Sequence, residues 1–291
     1  MATSPAVLEG IAALKPKAVD QFSSWVIDGA ERALADEENP LRLNFFSTAM
    51  RILFEHMMDT LAPSDQVIQC PWFKRKEGEG DKPKRSERVL FAIQGGLSEE
   101  FVRQNLHIDT SSLRSRLLTA INELSKHIHG RENTIILDPS DQDTIAAATV
   151  AAMAAFLDKM HECRAAVIEP IAEALDEAAV DALITDTIGE IDELASHHSL
   201  EEVYVEDVTV QSIGSETVTY RAKGVVSVVL QWGSNSDVRR GDGIELPQSF
   251  PFYCDIEVPL PELWDLRFAE INYGVDTGDW REMDEPDDCD R

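Results

Sequence analysis

The chain has 291 residues, 43% of them hydrophobic, so it can bury a real core and form one large or two ordinary domains. This composition excludes wholesale disorder, and the longest nearly apolar run, Ile145 to Leu157, has 13 residues where a bilayer span needs about 20. Because the N-terminus also lacks a basic-then-apolar export signal, the sequence predicts a soluble, cytoplasmic protein without membrane contact.

The net charge of −28 is distributed unevenly along the chain. Residues 41–131 hold 14 basic and 11 acidic side chains, whereas residues 132–291 hold 9 basic and 36 acidic ones. The acidic segment would repel a polyanion, so we expect any contact with nucleic acid within residues 41–131. The alternative interpretation is that the acidic half is only a solubilising surface.

Helical periodicity dominates the first 200 residues. It predicts helices near the N-terminus, over 19–34 and over 44–61, and the last of these has one apolar face made of Phe46, Ala49, Met50, Leu53 and Met57. A polar loop follows over 74–88, with almost no apolar content.

The clearest helix begins after Asp109, and this residue or a following serine or threonine can cap it. It carries a single apolar stripe: Leu113, Leu117, Ile121, Leu124 and Ile128. Residues 141–196 are typical of two or three further helices, rich in alanine at first, with Pro170 starting or kinking one of them.

The period changes to two near Glu202, and the even positions from Val218 to Trp232 are largely apolar. This predicts a half-buried strand with a bulge at Gly224, and further strands are predicted over Val203–Val210, Phe250–Val258 and Leu266–Tyr273. The expected fold class is therefore α+β, with an antiparallel sheet or small sandwich after the helices. The expected domains are 1–135 (helical), 136–200 (Ala-rich helical) and 201–291 (acidic β, with a frayed tail).

The sequence predicts neither a metal site nor a cofactor. Its four cysteines are far apart and form no CxxC pair, as is typical of reduced thiols: Cys70, Cys163, Cys254 and Cys289. The motifs GxxxxGK, GxSxG and HExxH are absent, and no lysine has an acidic residue two positions before it, as a restriction-type nuclease requires.

Arg51 and His56 form the candidate catalytic pair, and their spacing resembles the motif of HEPN-type ribonucleases, which are all-helical. A histidine can exchange protons near neutral pH, and an arginine can stabilise a pentavalent phosphate. Five steps along a helix separate two side chains by about 140°, so a helix break or a second subunit would be needed to bring them together. The alternative is an ordinary surface ion pair between Arg51 and Glu55, with His56 packed at the edge of the apolar face.

Two basic groups form the candidate nucleic-acid-binding face. One lies at the end of the helix that begins after Asp109 and contains Lys126, His127, His129 and Arg131; the other lies in the polar loop and contains Lys74, Arg75 and Lys76. Trp72 and Phe73 beside the loop could stack on bases. The alternative is that the first group only caps the helix dipole and that the aromatic residues anchor the loop.

Five segments of the helical half carry a family resemblance: Ser47–Arg51, Leu61–Pro63, Cys70–Trp72, Ala92–Ser98 and Ala120–His129. With a looser likeness around 230–252, they resemble a bacterial family of predicted nucleases that associate with prokaryotic PIWI-type (Argonaute-like) proteins in anti-phage systems. The residues that match its motifs are Arg51, Trp72, Gln94, Lys126 and His129. The resemblance implies cleavage of nucleic acid, and the missing acidic-x-Lys element makes a metal-independent, HEPN-like mechanism the expected one.

Two hypotheses follow. The first is a defence-associated nuclease that acts on RNA as a homodimer. The second is a non-catalytic interaction module whose acidic β domain binds a partner protein of the same defence system.

Overall fold

The structure, a computed structural model, describes residues 3–74, 82–128, 135–185 and 187–283. A helical N-terminal part is followed by a four-stranded antiparallel sheet, so the predicted α+β class is confirmed. The helices are α1 (Pro5–Ala12), α2 (Gln21–Ala35), α3 (Arg42–Leu61), α4 (Ser64–Gln69), α5 (Arg85–Gln94), α6 (Glu99–Asn105), α7 (Ser111–His127), α8 (Pro139–Ile168), α9 (Ala172–Thr185), α10 (Gly189–Asp192), α11 (Asn235–Arg240) and α12 (Gly278–Met283). The strands are β1 (His197–Ile213), β2 (Thr217–Trp232), β3 (Ile244–Pro259) and β4 (Glu270–Val275).

The chain divides into two compact units, residues 1–164 and 165–291, and the division falls inside α8. No helix within the described ranges is long and apolar enough to cross a bilayer.

The core of the first unit is built around α3. This helix buries seven apolar side chains, Leu43, Phe46, Met50, Leu53, Phe54, Met57 and Met58. The helices α2, α5 and α7 pack against it, and the predicted stripe of α7 is buried from Leu113 to Leu124. Each large apolar side chain that is fully buried stabilises the unit by about 1.5–3 kcal/mol relative to exposure. The face of α3 that does not carry these buried side chains is therefore the one exposed to solvent.

The second unit is a meander in which β1, β2, β3 and β4 pair in chain order. The even-numbered residues of β2 from Val218 to Leu230 face its core, as the period-two pattern predicts. The helix α9 packs against the sheet. Tyr220 is fully buried, and its hydroxyl donates a hydrogen bond of 3.1 Å to the carbonyl of Leu263, so its polar atom is satisfied.

The bulge predicted at Gly224 lies in the neighbouring strand instead. The register between β1 and β2 shifts between Val205 and Asp207, while pairing of β2 with β3 continues through Gly224 and Phe252. A Cβ atom on Gly224 would lie 2.0 Å from the carbonyl oxygen of Tyr204. The glycine is needed because the backbone of the bulged strand approaches it closely.

One other sequence-based prediction for this unit was only partly right. The strand predicted over Leu266–Tyr273 begins at Glu270, because Leu266–Phe268 forms a 3-10 turn that Asp265 caps through the amide of Arg267. Between β2 and β3 the chain forms the short helix α11, which Gly233 precedes and Gly241 ends.

Candidate functional site

An open cleft of about 590 Å³ lies on the solvent-facing side of α3. Four of its lining residues follow each other at three- and four-residue steps along one face of the helix: Thr48, Ile52, Glu55 and Asp59. Phe22 of α2 and Ile128, directly after α7, also line it. The cleft therefore collects residues from α2, from α3 and from the position directly after α7.

Arg51 and His56 line this cleft together. The helix is continuous from Arg42 to Leu61, so the two positions differ by about 140° in direction and about 7.5 Å in height. They lie on opposite sides of the Thr48–Asp59 stripe, and both reach the same opening. Neither the helix break nor the second subunit that the sequence argument required is needed to place both residues in one cleft.

Arg51 is held from two sides. Its Nη1 donates a hydrogen bond of 3.0 Å to the hydroxyl of Ser125, and its Nη2 lies 3.9 Å from Glu55. The Ser125 hydroxyl in turn donates to the carbonyl of Ile121 in α7. The side chain remains 32% exposed, so its guanidinium is oriented but accessible to an anion.

His56 is oriented by a carboxylate that is remote in sequence. Its Nε2 lies 2.6 Å from Oδ2 of Asp20, and its ring meets Phe22 edge to face at 4.6 Å between centroids. Within the described part of the chain, the ring uses only Nε2 for hydrogen bonding, which leaves Nδ1 for proton exchange with a ligand.

Asp20 is also the N-cap of α2 and accepts a hydrogen bond of 2.8 Å from the amide of Ser23. The bond from this amide, and then the bond from His56, lower the pKa of Asp20 from 3.8 to about 2. The carboxylate is therefore charged at neutral pH and can hold the imidazole ring in a fixed orientation.

The two carboxylates of the cleft are paired with arginines of α5. Arg85 lies 2.8 Å from Glu55, and Arg88 lies 2.7 Å from Asp59 while also donating to the carbonyl of Ala62. These contacts offset part of the negative charge that would otherwise repel a phosphate. The sequence places Arg85 and Arg88 in the basic polar loop of the candidate nucleic-acid-binding face. It does not relate them to Glu55 and Asp59, because the partners lie some 30 positions apart.

The residues predicted to bind phosphate differ in their exposure to solvent. Lys126 is 65% exposed and lies 2.5 Å from Glu123, whose pKa it lowers, whereas the side chain of His127 is only 7% exposed. The carbonyl of His127 accepts a hydrogen bond from Asn44 of α3, and this end of α7 is thereby turned toward the core. Lys74 is exposed. Arg75, Lys76, His129 and Arg131 lie outside the described residues.

Two further residues singled out in the sequence have structural contacts. The indole of Trp72 donates a hydrogen bond of 3.0 Å to the carbonyl of Gly95, and Gln94 is fully buried and donates to the carbonyl of Leu97. Together they hold the turn between α5 and α6, so Trp72 anchors the end of the polar loop, as the alternative interpretation proposed.

In the described ranges, no group of three or more His, Cys, Asp or Glu side chains is arranged to bind a metal ion. Cys70, Cys163 and Cys254 are buried as free thiols. Burial raises the pKa of Cys70 and Cys163 to about 12 and that of Cys254 to about 11, so these thiols are protonated and poorly nucleophilic at neutral pH.

Comparison with known proteins identifies the family of the chain. Residues 15–153 match one family and residues 160–281 match a second, and each is described as "Predicted pPIWI-associating nuclease". The gap between the matches falls inside α8, as does the division between the two units. Neither a curated protein nor a solved structure gives a significant match. Both halves carry the same description, and the chain belongs to the predicted pPIWI-associating nucleases.

Proposed function

We propose that this protein is a nuclease that cleaves RNA at the α3 cleft without a metal ion. The observation that supports this most is that Arg51 and His56 line one cleft, with His56 hydrogen-bonded to a carboxylate. Family membership supports a nuclease-like role in general. The specificity for RNA and the residue roles are proposals that rest on the chemistry of these side chains.

In the proposed reaction the 2′-hydroxyl of RNA attacks the adjacent phosphorus. The bond between the 2′-oxygen and phosphorus forms, the bond to the 5′-oxygen breaks, and the products are a 2′,3′-cyclic phosphate and a 5′-hydroxyl. His56 accepts the proton of the 2′-hydroxyl on Nδ1 and then donates it to the departing 5′-oxygen, while Arg51 binds the equatorial oxygens as charge develops on them. Asp20 acts as a positioning residue because it fixes the ring through Nε2.

The proposal is tested by incubating the purified protein with labelled RNA in EDTA. We expect cleavage by the wild type and a loss of about 100-fold or more for Arg51→Ala and His56→Ala. Arg114→Ala is the matched control, because this arginine of α7 pairs with Glu99 at 2.9 Å and does not line the cleft.

Three outcomes would contradict the proposal. They are intact RNA with the wild type, an equal loss of activity in Arg114→Ala, and equal cleavage of RNA that is 2′-O-methylated throughout. The last outcome is decisive for the mechanism because a methylated 2′-oxygen cannot act as the nucleophile.

We further propose that the active form is a homodimer that associates beside the cleft. Outside the lining of the cleft, the outward faces of α2 and α3 expose two large apolar side chains, Trp25 by 64% and Phe45 by 51%. Apolar side chains of this size are typical of interface cores. Light scattering should give twice the chain mass for the wild type and the single chain mass for Trp25→Ser combined with Phe45→Ser. A wild-type monomer at micromolar concentration would contradict this part of the proposal.

The second candidate is a non-catalytic module of an anti-phage system. Residues 165–291 hold 7 basic and 30 acidic side chains, and this charge favours association with a basic protein surface over a polyanion. The partner expected from the family description is a pPIWI-type protein. Co-expression with such a protein should give a complex that dissociates as salt is raised, and failure to co-purify at low salt would argue against this function.

A further inference from the structure

A second cleft, of about 750 Å³, lies within the second unit. Its lining residues are mostly polar, and they include His197, Ser199, Gln231, Ser236, Arg239 and Glu245. A cleft of this size is in the range that binds small molecules in proteins.

Three of these residues form a row across three strands. His197 of β1 is paired with Gln231 of β2, which is paired with Glu245 of β3. Directly paired residues point to the same face of a sheet, and here it is the face opposite to buried Leu230. Ser199 lies two residues along β1 and shares this face. The Nε2 of Gln231 donates to the carbonyl of Gly233 and to Asn235, so its oxygen is the atom left to accept a bond.

The turns at both ends of α11 place this helix beside the row of paired residues. Ser234 and Asp237 form a capping box at its start, and Gly241 ends it in the left-handed region at φ 82°. A Cβ atom on Gly243 would lie 2.8 Å from the side chain of Val238, so only glycine allows the helix to lie this close to the start of β3. This packing brings Arg239 to the lining of the cleft.

Arg239 is unusual among the cations of this acidic unit. Arg221, Arg240 and Arg267 each form an ion pair with an aspartate at 2.5 Å. Among the side chains described for the unit, only Arg239 and Lys223 are basic without such a pair, and Lys223 does not line the cleft. The guanidinium of Arg239 is therefore available to an anionic ligand.

We propose that this cleft binds a phosphorylated sugar, with Arg239 and His197 on the phosphate and Gln231, Glu245 and the serine hydroxyls on the sugar hydroxyls. A guanidinium and an imidazole are suited to a phosphate monoester. A carboxylate and an amide oxygen accept hydrogen bonds from hydroxyl groups. The surrounding negative charge disfavours a long polyanion, so a compact ligand fits better than a nucleic-acid strand. The ligand is either a free sugar phosphate or the ribose phosphate of a mononucleotide. The proposal is independent of cleavage at the α3 cleft.

The test is calorimetric titration of the full chain with ribose 5-phosphate, AMP, ribose and inorganic phosphate. We expect ribose 5-phosphate or AMP to bind at least tenfold more tightly than ribose or phosphate. Affinity for the tighter ligand should fall by about tenfold or more in Arg239→Gln, because a charged hydrogen bond is lost. Arg240→Gln is the matched control; its arginine is the next residue, pairs with Asp237 and lies outside the lining. Its affinity should stay within about twofold of wild type.

The relative affinities identify the source of the ligand. Tighter binding of AMP assigns the site to a nucleotide, and equal binding of AMP and ribose 5-phosphate assigns it to the sugar phosphate alone. No binding of either compound at millimolar concentration would overturn the proposal, as would equal affinities for ribose 5-phosphate and inorganic phosphate. Equal weakening by Arg239→Gln and Arg240→Gln would also overturn it, because the effect would then be one of overall charge.

Discussion

Replacing Asp20 by alanine removes two interactions at one position, the N-cap of α2 and the partner of His56. Loss of an N-cap costs about 1 kcal/mol. The pair with His56 joins side chains that are 29% and 37% exposed, and pairs so exposed are worth about 0.5 kcal/mol. At pH 7 we therefore expect Asp20→Ala to lower the free energy of unfolding of the first unit by about 1–2 kcal/mol. Asp20→Asn retains a good capping side chain and should cost only about 0.5 kcal/mol.

The same carboxylate makes stability depend on pH. The pKa of Asp20 is about 2 in the folded chain and 3.8 ordinarily, so its contribution is fully present above pH 4 and is lost as the pH falls from 4 toward 2. Full conversion of this difference gives about 2.4 kcal/mol, and screening at a 37% exposed side chain reduces it to about 1 kcal/mol. Because Asp20→Asn has no carboxylate at this position, its free energy of unfolding should fall less than that of the wild type as the pH drops from 4 toward 2.

The measurement is urea unfolding at several pH values, together with native-state hydrogen exchange of the α2 amides, which isolates this helix from the second unit. The reasoning would be refuted if Asp20→Ala and Asp20→Asn were equally stable at pH 7. It would also be refuted if wild type and Asp20→Asn lost stability in parallel below pH 4.

Three further predictions concern packing. Gly224→Ala should destabilise the second unit by about 3 kcal/mol or more, because its Cβ would lie 2.0 Å from the carbonyl oxygen of Tyr204, and thermal unfolding should show a large drop in Tm. Gly29→Ala should instead stabilise α2 by about 0.5–1 kcal/mol, since nothing lies within 4 Å of the added methyl group, and a fall in stability would contradict this. Tyr220→Phe should cost about 1 kcal/mol by removing the buried hydrogen bond to the Leu263 carbonyl, and urea unfolding with an unchanged midpoint would argue against it.

The regular elements could be predicted from sequence where one face is buried along the whole element. The stripe of α7 and the alternation of β2 are both visible in the chain, because burial on one side imposes a period near 3.6 or of two. The bulge was assigned to the wrong strand because Gly224 signals only that a backbone approaches it. The position of the extra residue depends on β1, which is about 20 residues earlier.

In the candidate site, too, the sequence could predict some features, whereas others depend on residues that are distant in the chain. Arg51 and His56 could be singled out by residue type and spacing, and Asp20 could have been recognised as a helix cap. The contact between Asp20 and His56 could not, because no local pattern relates residues 36 positions apart. For the same reason the contact of Arg51 with Ser125, 74 positions away, depends on the packing of α3 against α7.

By itself the sequence determined the α+β class, the order of the helices and strands, the concentration of negative charge in the C-terminal part, and the family resemblance. The first three are properties of composition or of local periodicity, and the resemblance rests on short motifs. Neighbouring residues in the chain are enough to specify all four. The tertiary structure alone decided that Arg51 and His56 open into one cleft and which carboxylate orients the histidine. It also decided that Arg239 and His197 line the same polar cleft of the second unit. These arrangements depend on how distant helices and strands pack, since packing fixes the directions of side chains that the chain itself leaves far apart.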